Sequence, residues 1–173
     1  ATTSTTGAAT TSTTAVTTST TGATTTSTTA ATTSTTAAAY PVGAVIYQGA
    51  MYSDRHGGEC YQVDNPGQVG SSIDRHNCDN GNDQKIAAVG SATVVALKWT
   101  DTPNAGLCVS AGATRATMAT CNGSSAQLFT VTVTNGWIQY KSQSNNLCIA
   151  EYSDDWQMET CNTSSDRQRF KFP

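Results

Sequence analysis

Three kinds of side chain in this sequence could do covalent or acid–base chemistry: six cysteines, a dense run of hydroxyls, and carboxylates scattered through the last three quarters of the chain. Metal binding by the cysteines would call for a Cys-x-x-Cys or similar cluster with histidine support. No such cluster occurs and only His56 and His76 could assist, so no metal site is expected. Acid–base catalysis has little support. Asp154 and Asp155 are adjacent, and strand neighbours point to opposite faces, whereas a glycosidase acid and base face each other across a cleft. Nothing resembles a nucleophile elbow, a phosphate loop or a metal-binding helix. The expectation is a non-enzymatic chain without a cofactor.

The hydroxyls are concentrated in residues 1–39, which hold 21 Thr, 5 Ser, 10 Ala, 2 Gly and Val16, with no charge, aromatic or proline. Residues 2–16 and 17–31 agree at 13 of 15 positions, and a third copy of the Thr-Thr-Ser-Thr-Thr box follows. Such a segment has no core, no apolar stripe for a helix, and, unmodified, a tendency toward sheet aggregation. Dense O-glycosylation removes that tendency and stiffens the backbone. The acceptors are Thr2, Thr3, Ser4, Thr5, Thr6, Thr10, Thr11, Ser12, Thr13 and Thr14, then Thr17, Thr18, Ser19, Thr20, Thr21, Thr24, Thr25, Thr26, Ser27, Thr28 and Thr29, and finally Thr32, Thr33, Ser34, Thr35 and Thr36. The expectation is a stalk reaching on the order of 120–130 Å; a flexible linker between modules is the alternative.

The cysteines order the rest of the chain. Cys60 and Cys78, Cys108 and Cys121, and Cys148 and Cys161 are each followed by a Gln-x-apolar triplet: Gln84-Lys85-Ile86, Gln127-Leu128-Phe129 and Gln168-Arg169-Phe170. Glycine before a short β-branched or aromatic run opens each unit, at Gly43, Gly90 and Gly136. Three units of roughly 40 residues, about 42–88, 89–133 and 134–173, read as short strands and turns that bury their apolar faces only against one another.

At these residues the chain, over about residues 40–173, resembles the ricin-type β-trefoil lectin family. That resemblance implies an all-β, threefold fold with a Gln-x-Trp motif and one disulfide per repeat. Ile86, Phe129 and Phe170 stand where the family has tryptophan, keeping an apolar plug and losing the indole donor. Six cysteines allow about 15 pairings; pairing within each unit is the scheme that treats the copies alike, which predicts Cys60–Cys78, Cys108–Cys121 and Cys148–Cys161.

The resemblance also implies sugar binding. The family pocket uses an aspartate two residues after the first cysteine, an aromatic two before the second, and Asn or Asp just before the glutamine. The first position holds Gln62, Ser110 and Ala150, the second His76, Ala119 and Glu159, and the third Asp83, Ala126 and Arg167. Unit two is therefore expected to be empty. Unit one offers Asp64, Asp74, His76 and Asp83, although its cysteines stand five residues further apart than in the other units. Unit three offers Tyr152, Asp154, Trp156 and Gln157, with Trp156 the stacking residue unless it plugs the barrel.

All charge lies beyond the tail, and the formal net charge of −3 argues neither for nucleic acid nor for an anionic membrane surface, so no nucleic-acid partner is expected. No apolar run is long enough to span a bilayer. Ala1 in place of methionine, with no signal sequence, reads as a processed or fragmentary product. Disulfides place the protein in a secreted, extracellular or cell-surface setting, where Asn122-Gly123-Ser124 and Asn162-Thr163-Ser164 are N-glycosylation acceptors. Two functions follow. The favoured one is a structural subunit of a glycosylated fibre or surface coat, self-associating through its stalk. The alternative is a carbohydrate-binding lectin, or the targeting module of a secreted glycoside hydrolase.

Overall fold

The computed structural model describes residues 43–102 and 104–172. The segment 1–39, with its stalk and O-glycosylation expectations, lies outside them. Among the described residues there is no α-helix. The strands are β1 (Ala44–Ala50), β2 (Tyr52–Ser53), β3 (Glu59–Val63), β4 (Ile73–Asn77), β5 (Lys85–Gly90), β6 (Val94–Trp99), β7 (Leu107–Ala111), β8 (Ala116–Thr120), β9 (Phe129–Thr134), β10 (Trp137–Ser142), β11 (Cys148–Tyr152), β12 (Asp155–Glu159) and β13 (Phe170–Lys171).

Pairing follows the alternation of side chains. In β10, Ile138 and Tyr140 are buried while Lys141 faces out. Antiparallel pairs run β1–β5–β6–β9–β10–β13–β2, and only Met51 separates β2 from β1, so the strands return to their start. Three hairpins, β3–β4, β7–β8 and β11–β12, make up the rest. With β1 and β2 counted as one interrupted strand, six ring strands and three hairpins in threefold recurrence are a β-trefoil. The Asn135-Gly136 turn joins β9 to β10 with both residues at positive φ, 52° and 79°, which matches the strand twist. Gly90 is needed for another reason: a Cβ there would lie 2.3 Å from the Val94 carbonyl oxygen.

The hairpins clasp one another in a ring. Met118 N donates to Ser71 O, Met158 N to Thr114 O, and Arg75 N to Asp154 O, so each hairpin turn holds the next hairpin's second strand. The disulfides are Cys60–Cys78, Cys108–Cys121 and Cys148–Cys161, one within each repeat. The five extra residues of the first repeat stay in its β3–β4 loop. Cys60 still faces His76 as Cys108 faces Ala119 and Cys148 faces Glu159, so the register is not shifted.

The triplets have a structural reason. Ile86, Phe129 and Phe170 have no exposed surface, and each glutamine is buried in a single 3-10 turn. Gln127 Nε2 donates to Thr120 O (2.8 Å) and its Oε1 accepts from Asn122 N (2.8 Å); Gln84 and Gln168 repeat the arrangement with Asn77 and Asp79, and with Thr160 and Asn162. One amide thus satisfies an acceptor and a donor that the chain reversal after the second cysteine leaves without ladder partners. Gln127→Leu is expected to lower stability by about 1–3 kcal/mol for each group left unpaired. Urea unfolding against the exposed control Gln143→Leu measures it, and equal midpoints would refute the assignment.

Candidate functional site

The inward positions of the three hairpins can be compared pair by pair, because their registers coincide. Val63 faces Ile73, Ala111 faces Ala116, and Glu151 faces Trp156; one step along, Tyr61 faces Arg75, Val109 faces Met118, and Ile149 faces Met158. Two of these columns are broken. Glu151 stands where the other repeats have Val63 and Ala111, and Arg75 stands where they have Met118 and Met158. The hairpin ring brings these two exceptions together at the seam between the first and third repeats.

Glu151 is completely buried. Its Oε2 accepts from Ser53 Oγ (2.6 Å) and Tyr61 Oη (3.0 Å), while Oε1 lies 3.0 Å from His56 Nε2 and 3.5 Å from Arg75 Nε. Arg75 also pairs with Glu59 and Asp154, and donates to the Ser153 carbonyl (3.2 Å). Burial works against its charge, but Asp154, Glu151 and Glu59 outweigh that and hold its pKa above the ordinary value. Burial, reinforced by the Glu151 charge, pushes the Tyr61 hydroxyl well up, so it stays a proton donor. The carboxylate sits between the Ser53 hydroxyl and the His56 ring and orients both.

Outside this cluster an open cleft of about 560 Å³ is lined by Arg55, His56 and Arg75 of the first repeat and by Tyr152, Ser153, Asp154 and Arg167 of the third. The Tyr152 ring is 49% exposed, with the Arg167 guanidinium 5.4 Å from its centroid. Ser153 adopts φ 57°, a left-handed conformation that is costly for a residue with a side chain. The short turn between β11 and β12 requires it, and Arg75 holds its carbonyl.

The residues expected from sequence divide between two places. Asp64, Asp74 and His76 belong to the β3–β4 hairpin, where Asp74 and His76 share a strand face. Burial first, and then the neighbouring Asp64, hold the Asp74 carboxyl above its ordinary pKa. The His76 side chain is exposed and makes no hydrogen bond or ion pair among the described residues. Asp83 lies in the following 3-10 turn, where its carbonyl accepts from the Trp99 indole (2.6 Å). Tyr152 and Asp154 line the seam cleft. Gln157 is half-buried and bridges Arg115 of the second repeat.

Trp156 requires a correction. It has no exposed surface, packing edge-on against Tyr61 (5.0 Å) and Phe170 (5.5 Å), so no ligand can stack on it. The strand alternation that turns Trp156 inward turns its neighbours outward. In the third repeat the corresponding positions are spanned by the Arg167–Glu159 ion pair (3.3 Å), and the second repeat presents Ser110, Ala119 and Ala126 there, with no aromatic ring, acid or amide among them. Arg55, His56, Arg75 and Glu151 were not picked out by sequence reasoning. Stacking the three cysteine frames would have found two of them: the residue three after the first cysteine is Val63, Ala111 or Glu151, and three before the second is Arg75, Met118 or Met158.

Asn122 and Asn162 are exposed, and each Oδ1 closes an Asx turn on the backbone of Ser124 (2.9 Å) and Ser164 (3.0 Å). Asp79 makes the same turn with Gly81 (2.7 Å), so the turn itself selects Asn or Asp at this point of every repeat.

No protein-family model and no curated protein matches this chain. Solved structures share its fold. A mosquitocidal holotoxin superposes with a TM-score of 0.63 at 15% identity, over 72% of this chain and 17% of that one. The hemolytic lectin CEL-III gives 0.63 at 15% identity over 76% of this chain and 31% of that one. The designed threefold-symmetric protein ThreeFoil gives 0.57 at 14% identity over 72% of this chain and 96% of its own. The chain therefore spans a minor part of the holotoxin and of the lectin, and nearly all of the designed trefoil.

Proposed function

We propose that residues 43–172 are a non-catalytic carbohydrate-binding module of the ricin-type kind, acting in a secreted or cell-surface protein and binding saccharide at the seam between its first and third repeats. The observation that carries this reading is the half-exposed Tyr152 ring standing beside Asp154 and the oriented Arg75. An aromatic face takes the apolar side of a pyranose, while a carboxylate and a guanidinium take its hydroxyls. The shared fold with a hemolytic lectin supports the reading, as do the disulfides, which suit an oxidising setting. No helix among the described residues is long and apolar enough to cross a membrane.

The test is a glycan array followed by titration calorimetry. Tyr152→Ala is expected to weaken saccharide binding about 2- to 10-fold, from the ~0.5–1.5 kcal/mol of an aromatic contact, with the unfolding midpoint unchanged. Wild-type binding that survives Tyr152→Ala intact would place the site elsewhere.

A second reading, a fibre or coat subunit with the trefoil as its node, rests on the tandem Thr/Ser boxes of residues 1–39. It expects O-linked sugars on those boxes, with N-linked glycans at Asn122 and Asn162 as further additions, and assembly that fails when residues 1–39 are removed. Native material is expected to have an intact mass well above the 17.9 kDa polypeptide, returning to it on deglycosylation. A native mass equal to the bare chain would leave this reading without its stiff element.

A further inference from the structure

Resting on the saccharide-binding reading above, we infer that the seam cleft is selective for an acidic saccharide, one whose carboxylate or sulfate is taken by Arg55 and Arg167 while its ring lies against Tyr152. Charge is the first argument. The cleft is lined by three guanidiniums; Arg75 is paired with Glu59, Glu151 and Asp154 and Arg167 with Glu159, which leaves Arg55 as the cation facing the cleft without an acid. Arg55 is exposed and has no ion pair or hydrogen bond among the described residues. Arg167 is partly offset by Glu159. A planar guanidinium matches both carboxylate and sulfate bidentately.

The second argument is how Arg75 is held. Glu151 and Glu59 fix its inner side, and its NH2 edge reaches Asp154. Asp154 is 72% exposed at the side chain, so the acid now on the outer edge of Arg75 comes from a solvated turn and not from the core. Asp154 can turn from that edge to the ligand's hydroxyls, leaving the outer edge of Arg75 as a further donor beside Arg55 and Arg167. Placing Glu151 and Arg75 in columns that are otherwise apolar carries a large desolvation cost, and its product is a guanidinium aimed at the cleft. A neutral sugar would leave Arg55 facing hydroxyls alone; an acid supplies its countercharge.

The experiment titrates the full chain with matched pairs: digalacturonic acid against its dimethyl ester, and lactose 3′-sulfate against lactose. The acidic member of one pair or both is expected to bind roughly tenfold tighter, the equivalent of one charge-assisted contact, and the advantage should shrink with added salt. The pair that responds tells carboxylate from sulfate. Arg55→Gln and Arg167→Gln change exposed or half-exposed groups, and are expected to erase the acid preference without shifting the unfolding midpoint. Neutral and acidic members binding alike, or an acid preference untouched by both substitutions, overturns the inference and leaves the saccharide-binding reading standing. Failure of every member of these pairs and of a broad glycan array to bind overturns that reading as well.

Discussion

Replacing Arg75 of the Glu151–Arg75 pair is expected to destabilise the domain by about 3–5 kcal/mol, because it takes the guanidinium from a fully buried carboxylate; replacing Glu151 costs less, because Glu59 and Asp154 still pair with Arg75. In Arg75→Ala the buried Glu151 carboxylate keeps only Ser53, Tyr61 and His56; in Glu151→Ala the guanidinium loses the partner on its inner side. Replacing both by what the other repeats carry, Glu151→Val with Arg75→Met, restores the apolar columns of Val63 and Met118. It is expected to recover part of what the singles lose and to stay below the wild type, because the buried Ser53 and Tyr61 hydroxyls keep no acceptor. Urea unfolding of the four proteins gives the coupling directly. A double variant no more stable than the singles would show that the two charges act independently. The double variant also removes the oriented guanidinium from the cleft, so its saccharide binding should fall even where its stability recovers.

Trp156→Ala is expected to cost about 3–5 kcal/mol as a large-to-small change in a packed core. The ring touches Tyr61, Phe170 and Trp99 (6.4 Å), which belong to the first, third and second repeats, so its loss loosens all three at once. Chemical unfolding and near-ultraviolet circular dichroism measure the effect. A variant as stable as the wild type that had lost only saccharide binding would mean that the ring is a ligand platform after all. Tyr152, four residues earlier and 49% exposed, gives the opposite expectation: near-native stability with weakened binding.

The contrast between these two aromatics shows where sequence reading reached its limit. Both stand close together in the third repeat, and composition favours the larger ring as a stacking residue. Strand alternation decides otherwise: Glu151 and Trp156 face each other inward, while Tyr152 and Asp154 lie at the turn. The parity of a strand is set by its register with its neighbours, and a one-residue slip would reverse every side chain.

What the sequence alone determined is the set of features that recur within one repeat. The cysteine pairs, the glutamines with their apolar partners, and the turn glycines are local and appear three times, so the threefold repeat follows from spacing, and the resemblance those residues carry implies the all-β trefoil with one disulfide in each unit. The seam was decided only by tertiary structure. Glu151 and Arg75 are 76 residues apart in sequence, and each looks like an ordinary surface charge on its own strand. They become a buried pair because the third repeat's hairpin turn hydrogen-bonds the first repeat's β4. That contact is made by backbone atoms, which carry no residue-specific signal, so it is visible only once the three hairpins have closed into a ring.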